Sequence, residues 1–290
     1  MGQPARRTAR RRRLGGALKD AREAAQVSAI EAAQAIHGDN TKISRIETGR
    51  HRVTRLELET LLNLYQVKDE QTRDWLIALA SEGRKRSWWR QHSDALPPGL
   101  KELLTLESDA AKICAFQSQV IPGLLQTREY ATAVMAGAEQ KQMSTEKLDF
   151  FVDLRMNRQQ IFQQDNAPSY LCIMPEGVVR QQLGGPKVMA AQLRHLIALN
   201  RPPMMTIQVI PFSQGAFTAT GGSFVLYSYP DPLDLDVVQV EYLDGALYLE
   251  EDETVEKYRS ALDGLRAAAL SSQQSVDLIS SIARDLEGDS

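Results

Sequence analysis

A short run near the N-terminus combines many hydrogen-bonding side chains with only two large apolar ones. The run is Gly38–Arg50, GDNTKISRIETGR. On a helical wheel Ile43 and Ile46 lie on one side, whereas Thr41 and Arg45 point to the other. Such a helix can dock through its isoleucines and present a polar ridge of a width that fits the DNA major groove.

The side chains on this ridge suit contacts with duplex DNA. Arg45 has the planar fork that pairs with guanine, and the lysine and arginine side chains beside it suit phosphate oxygens. The alternative is a plain helical bundle with a polar surface helix. The residues predicted to bind DNA are Asn40, Thr41, Lys42, Ser44, Arg45, Thr48, Arg50 and Arg52.

Neighbouring residues indicate how this helix is held. Asp39 is a favourable N-cap and Gly49 is a favourable residue just beyond the C-terminus, so the helix is short. Glu47 is acidic beside the apolar side, and we expect it to pair with Arg22 of the first helix and fix the helix at its angle. Ala33 is small where two helices must cross, which is typical of a helix-turn-helix.

The charge of the chain is divided unevenly. The 290 residues are 43% hydrophobic and 24% charged, as in ordinary globular proteins, and this length suggests about two domains. Residues 1–90 carry 19 Lys and Arg against 11 Asp and Glu, a net of +8, and the remaining 15 against 26 give residues 91–290 a net of −11. This division favours a basic module that meets a polyanion, although a solvated basic surface would also produce it.

The first 80 residues predict a disordered arm followed by five short helices. Ser28 with Glu31, and Thr54 with Glu57, have the spacing of capping boxes, and Asp69 can cap a further helix. We predict a disordered basic arm over 1–13, an all-α helix-turn-helix domain over 14–80 and a connector over 81–98.

Residues 99–290 predict an α+β domain with a mostly antiparallel sheet. Strand-like runs occur at Tyr170–Met174, Thr206–Ile210, Ser223–Tyr229, Val237–Tyr242 and Ala246–Leu249. Helices are expected near 100–111, 127–137, 144–164, 187–200, 254–270 and 272–286. No run approaches the roughly 18 apolar residues of a membrane helix, so we expect a cytoplasmic protein without a membrane partner, in which Cys114 and Cys172 are reduced.

Nothing in the sequence points to catalysis. The four histidines, at 37, 51, 92 and 195, have no metal-ligand spacing, and no Walker, G-x-S-x-G or H-E-x-x-H motif is present. We therefore predict no enzyme activity, no metal and no cofactor. One set of side chains in the C-terminal part could line a ligand or partner pocket, or could simply pack and form salt bridges. The set is Phe116, Leu125, Tyr130, Arg155 and Arg158.

Two families resemble different parts of the chain. Residues 14–67, especially TKISRIETGR, resemble the Cro/C1-type (XRE) helix-turn-helix family. The rest resembles large actinobacterial regulators with a C-terminal DUF5753, or Scr1 antitoxin-like, domain. The segments that carry this second resemblance are VIPGLLQTREYA (120–131), GGPKVMAAQLRHL (184–196), IQVIPF (207–212), GGSFVLYSYPD (221–231) and VVQVEYLDGALYLE (237–250). The resemblance implies a transcriptional regulator, often encoded beside a small partner protein and in some cases antitoxin-like.

The chain departs from the XRE pattern at two positions. That family usually has glycine and then a branched apolar residue in the turn before the recognition helix, whereas this chain has His37 and Gly38. It also has Ala29 where the family often has a glutamine that touches phosphate. Histidine tolerates positive φ better than most residues, but not freely. Both changes are expected to weaken DNA binding or to alter its register.

These observations predict a sequence-specific DNA-binding regulator. We expect a homodimer whose two recognition helices, about 34 Å apart, read a pseudo-palindromic operator in double-stranded DNA. The C-terminal domain is expected to sense a small-molecule effector or to bind a protein partner. The alternative is an antitoxin-like interaction module that sequesters a small partner encoded by an adjacent gene, with DNA binding for autoregulation.

Overall fold

The computed structural model describes residues 9–80, 96, 98–138, 144–218, 221–230, 236–243 and 245–288. The chain divides into two compact units, Met1–Asp109 and Ala110–Ser290. Residues 1–8 of the predicted arm, and residues 81–95 and 97 of the predicted connector, lie outside the described residues.

The first unit is helical in its described part. Its helices are α1 (Ala9–Ala24), α2 (Ala29–Ala35), α3 (Asn40–Glu47), α4 (Arg55–Leu64), α5 (Glu70–Ala80) and α6 (Pro98–Asp109). The predicted helix starts are confirmed, because Ser28 with Glu31 and Thr54 with Glu57 form complete capping boxes. These caps satisfy amide groups that the first turn of a helix leaves without a partner.

One core holds α1 to α5 together. Its side chains come from the apolar faces that the sequence predicts, with most of them less than 5% exposed. The core includes Leu18, Ala32, Ala33, Ile43, Ile46, Leu58, Leu61, Leu62 and Leu76. Because helices this short are unstable alone, this shared packing is what keeps each of them folded.

One predicted boundary of the first unit is wrong. α1 begins at Ala9, so Arg10–Arg13 belong to a helix and not to a disordered arm. Arginine is a good helix former, and Arg12 Nη1 lies 3.2 Å from Glu102 Oε1 of α6, so the segment is stabilised without an apolar stripe. α6, which the sequence assigned to the C-terminal domain, groups with the first unit.

The second unit contains six helices and six strands in its described part. The helices are α7 (Arg128–Ala138), α8 (Thr145–Arg158), α9 (Glu176–Arg180), α10 (Pro186–Leu199), α11 (Asp252–Ala268) and α12 (Ser272–Gly288). The strands are β1 (Lys112–Phe116), β2 (Ser169–Pro175), β3 (Met205–Ile210), β4 (Phe224–Ser228), β5 (Val237–Tyr242) and β6 (Gly245–Leu249). Short 3₁₀ turns lie at Gly123–Leu125, Gln159–Gln163 and Phe212–Gln214.

The sheet is mixed, which corrects the prediction of a mostly antiparallel sheet. Its strand order is β3-β2-β1-β4-β5-β6. β1, β2 and β3 are parallel to one another, whereas β4, β5 and β6 add to β1 in antiparallel fashion. Parallel neighbours need crossover connections, and helices α7 to α10 provide them, so the half of the sheet interrupted by helices is the parallel half.

The sequence missed β1, which lies near the middle of the sheet. β1 pairs with β2 on one side and β4 on the other, and Ile113, Cys114, Ala115 and Phe116 are all buried. α11 covers one face of the sheet, where Val255, Leu262 and Leu265 pack with residues of β1, β4 and β5. A five-residue strand buried on both faces has no alternation to reveal it.

The described residues contain neither a candidate membrane-spanning helix nor a candidate metal site. None of the helices there is long and apolar enough to cross a membrane. The same residues contain no cluster of three or more His, Cys, Asp or Glu side chains arranged to hold a metal ion.

Candidate nucleic-acid interface

Both ends of α3 are closed by the residues that the sequence indicated. The Asp39 carboxylate accepts a hydrogen bond of 2.7 Å from the Lys42 amide at the N-terminus. At the C-terminus Gly49 has φ of +69°, and the amides of Gly49 and Arg50 donate to the carbonyls of Ile46 and Arg45. This pair of bonds is a Schellman motif, which stops the helix after two turns.

The burial of α3 separates an anchoring side from an open side. Ile43 is 1% exposed and Ile46 is 3% exposed, and both belong to the core of the first unit. Seven of the eight residues predicted to bind DNA are exposed, namely Asn40, Thr41, Ser44, Arg45, Thr48, Arg50 and Arg52. The Thr48 hydroxyl donates to the Ser44 carbonyl at 2.7 Å, so in this conformation it satisfies a carbonyl group of the last turn of α3. The outer surface of α3 is therefore polar and accessible within its unit.

Two glycines allow α1 to approach α3 closely. A Cβ atom on Gly15 of α1 would lie 2.5 Å from the carbonyl oxygens of Ile46 and Glu47. A Cβ atom on Gly49 would lie 2.8 Å from the Arg12 amide nitrogen. Because real Cβ atoms do not come so close to backbone, each glycine permits a helix contact that no larger residue would allow.

The predicted pair of Arg22 and Glu47 is present and makes two hydrogen bonds. Arg22 Nε lies 2.6 Å from Glu47 Oε1, and Nη2 lies 3.1 Å from Oε2. The third nitrogen donates to the Val27 carbonyl at 3.0 Å, and only 13% and 10% of the two side chains are exposed. The bond to Glu47 raises the pKa of Arg22, and burial together with the Glu47 charge raises the pKa of Tyr65 to about 12. The pair ties the C-terminal turn of α3 to α1.

Lys42 is not a freely extended phosphate contact. Its ammonium nitrogen lies 2.5 Å from Glu57 Oε1, while the other Glu57 oxygen accepts hydrogen bonds from Thr54 in the capping box of α4. Partial burial would raise the pKa of Glu57, but the hydrogen bonds from Lys42 and Thr54 outweigh it and lower the pKa. Lys42 therefore reaches a phosphate only by leaving or sharing Glu57.

The turn between α2 and α3 contains the departure noted in the sequence. His37 has φ of +50°, in the left-handed region that glycine adopts at least cost. Gly38 is not left-handed, and a Cβ atom there would lie 3.0 Å from Lys42 Cδ. His37 thus carries a backbone strain that a glycine would avoid.

Comparisons with known protein families divide the chain before α6, as the sequence predicted, although α6 groups with the first unit. A family model described as "Domain of unknown function (DUF5753)" matches residues 100–281, and one described as "Helix-turn-helix domain" matches residues 13–76. The chain belongs to the DUF5753 family. Comparisons of the chain with curated proteins and with solved structures found no match. The helix-turn-helix match supports DNA binding by the unit that carries α3.

The DUF5753 residues predicted to line a pocket divide into two groups. Phe116 is 1% exposed and packs its ring against Phe217 and Phe224 on the sheet face covered by α11. Leu125 and Tyr130 are fully buried, and the Tyr130 hydroxyl accepts a hydrogen bond from the Ile121 amide at 3.3 Å. These three side chains therefore contribute to packing.

Arg155 and Arg158 meet beside the turn at Gly123. A Cβ atom on Gly123 would lie 3.6 Å from Arg155 Nε and 3.6 Å from Arg158 Nη1. Arg155 Nη1 donates to the Gln126 side chain at 2.8 Å, while its Nε is buried and has no hydrogen-bond partner in the described part of the chain. Burial, with the neighbouring charge of Arg158, lowers the pKa of Arg155 to about 10.

Three glutamines, which sequence reasoning missed, hold this turn of the DUF5753 unit. Gln126 donates to the Ile121 carbonyl at 2.6 Å, and Gln159 donates to the Gln126 carbonyl at 2.7 Å. Gln192 of α10, fully buried, accepts from the Thr127 amide at 2.6 Å and donates to the Leu125 carbonyl at 2.7 Å. A buried glutamine on an apolar helix face was the available signal, because buried amides nearly always have partners.

Proposed function

We propose that this protein is a sequence-specific, XRE-type transcription regulator that reads its operator with α3 as a homodimer. The DUF5753 unit senses a ligand or binds a protein partner, and the protein has no enzymatic role. The supporting observation is the outer surface of α3, where Arg45 and the hydroxyl side chains are exposed while the isoleucines are buried. Base edges in the major groove are read by side chains placed in this way.

The roles of the side chains follow from their position. Arg45 is exposed, and no described residue takes a hydrogen bond from its guanidinium, so it is available to a guanine. Asn40 and Thr41, at the start of the helix, lie where recognition helices contact bases. Arg50 and Arg52 follow the Schellman turn and suit phosphates, which fix register without reading sequence.

A selection experiment tests this proposal. The full chain is incubated with a library of random 30-bp duplexes, and we expect enrichment of a pseudo-palindrome whose half-sites are about 10 bp apart. Arg45→Ala should lose about 1–3 kcal/mol of discrimination at one base position, measured as the change in relative affinity for the enriched site. The matched control is Lys19→Ala on α1, an exposed lysine whose nearest acid is Glu23 at 3.9 Å. No enrichment, or equal effects of the two substitutions, would refute the assignment.

A second candidate role concerns the DUF5753 unit. The buried Arg155 Nε has an unused hydrogen-bond donor beside a second arginine, which suits a small carboxylate effector. Arg155→Gln should then abolish any stabilisation that a carboxylate metabolite gives in a thermal-shift screen of the full chain. A shift that the substitution leaves unchanged would place the effector elsewhere.

A further inference from the structure

The two edge strands of the DUF5753 sheet differ in whether their outward backbone groups are hydrogen-bonded. At the β3 edge, the Val209 amide donates to Ser275 Oγ at 3.0 Å, and the Val209 carbonyl accepts from the Leu270 amide at 2.9 Å. The Ile207 amide donates to Asn200 Oδ1 at 2.9 Å. This edge is therefore closed by side chains and by the link between α11 and α12, which is how proteins prevent strand addition.

The opposite edge, formed by β6, lacks such closure in the described part of the chain. No backbone hydrogen bond from a described residue outside β5 reaches Gly245, Ala246 or Leu247. Tyr242 pairs with Gly245 across a two-residue loop, so the next pair, Glu241 with Ala246, is the non-hydrogen-bonded kind. The amide and carbonyl of Ala246 therefore point to the open edge, where a further strand could bind them.

An exposed apolar surface lies beside this edge. Val238, Val240, Leu247 and Leu249 share one face of the β5–β6 hairpin, and α11 covers only part of it. Val238 is fully buried, whereas Leu247 and Tyr242 are each 54% exposed and Leu243 is fully exposed. Large apolar side chains grouped at an open strand are typical of a protein-binding site.

The charge around the hairpin indicates what binds there. Residues 231–256 contain ten Asp and Glu and no Lys or Arg, although Arg259 pairs with Asp236 and Glu256, and Lys257 pairs with Glu253. Glu241, Glu251 and Asp252 are exposed. Asp252 and Glu253 also suit the first turn of α11, but a helix dipole does not require the other acids. A second copy would bring the same negative charge, so like-charge repulsion disfavours it, and a cationic strand is favoured.

We propose that β6 receives an extended, basic segment of a protein partner as a seventh strand of the sheet. Apolar side chains of the segment contact Leu247 and Tyr242, while its alternating Lys or Arg side chains lie near the acidic residues. This proposal deepens the partner-binding role proposed above and is independent of DNA recognition by α3.

Peptide binding to the full chain tests the proposal. The probes are fluorescein-labelled nine-residue peptides that alternate lysine with valine, or glutamate with valine. We expect fluorescence anisotropy to show binding of the lysine peptide only. Ala246→Pro should weaken it at least 10-fold, because proline removes the outward amide and keeps every charge. Leu247→Lys should weaken it similarly, whereas Met204→Lys, at an apolar residue 52% exposed elsewhere in the unit, should not.

Hydrogen exchange keeps the test decisive if Ala246→Pro disturbs the hairpin. In the wild-type chain the lysine peptide should slow exchange at the Ala246 amide and leave Val209, at the closed edge, unchanged. No binding of the lysine peptide, equal binding of both peptides, or unchanged binding to Ala246→Pro with no protection at Ala246 would overturn the proposal. So would a dimer, seen by light scattering, that Leu247→Lys dissociates, since a second copy would then occupy β6. DNA binding by the same variants separates this result from the proposed regulator function, because it should be unchanged.

Discussion

The pair of Arg22 and Glu47 offers a sharp test of how α3 is positioned. Glu47→Ala leaves Arg22 about nine-tenths covered, with the Val27 carbonyl at 3.0 Å and the Glu23 carboxylate at 3.6 Å as its remaining partners. Breaking a buried pair on one side costs about 3–5 kcal/mol, whereas an exposed pair contributes about 0–1 kcal/mol. With 13% and 10% of the side chains exposed and two hydrogen bonds between them, we expect a loss of about 2–4 kcal/mol in the stability of the first unit.

Native-state hydrogen exchange of the full chain measures this loss locally. The amides of α3 should exchange faster in Glu47→Ala by the factor that corresponds to the loss, while amides of α12 in the second unit should not change. Affinity for the selected duplex should fall for every base variant alike, since Glu47 holds the helix and reads no base.

The double substitution Arg22→Met with Glu47→Met separates the pair from its setting. Replacing both partners by apolar side chains leaves no uncompensated charge, so the double variant should be more stable than Glu47→Ala by at least about 1 kcal/mol. The reasoning is refuted if Glu47→Ala costs under about 1 kcal/mol, or if the double variant is the less stable of the two.

Three further predictions concern the first unit. His37→Gly should stabilise it by about 0.5 kcal/mol in denaturant unfolding, because relief of the left-handed strain outweighs the added freedom of the unfolded chain; a loss would contradict this. Gly15→Ala should destabilise it by about 1–3 kcal/mol through the clash with α3, whereas Gly16→Ala, with open space around it, should stabilise it by up to about 1 kcal/mol. Glu57→Gln keeps the capping box and frees Lys42, so DNA affinity should rise and its salt dependence should steepen by about one phosphate contact; unchanged salt dependence would show that Lys42 stays off the DNA.

Local signals made the first unit predictable from sequence. The capping boxes at Ser28 and Thr54, the N-cap at Asp39 and the left-handed Gly49 all act within a few residues, so the sequence displays them directly. The pair of Arg22 with Glu47 was also accessible, because an acid beside an apolar face requires a cation. The ion pair of Lys42 was not predicted because its partner Glu57 comes from another helix, and the capping role of Glu57 already accounted for that residue.

The second unit was less predictable because its organisation depends on distant pairing. β1 is short and buried on both faces, so its pattern resembles any apolar run. β1, β2 and β3 are parallel because helices connect them. This connectivity predicts strand direction better than the composition of the strands does. The turn at Gly123 is fixed by Gln126, Gln159 and Gln192, which are distant along the chain, so no local pattern marks them.

The contacts of α3 indicate that α1, as well as the preceding helix α2, determines how the exposed surface of α3 is presented. An eight-residue helix has too few internal hydrogen bonds to be stable alone, and two isoleucines fix its depth but not its rotation. Rotation is fixed where atoms are in closest contact, which is at Gly15 and Arg22 of α1 and at Glu57 of α4, whose carboxylate lies 2.5 Å from the Lys42 ammonium nitrogen. α1 is in turn tied to α6 by the ion pair of Arg12 with Glu102. Substitutions on the inner side of α1 should therefore alter DNA affinity although none of those residues faces the duplex.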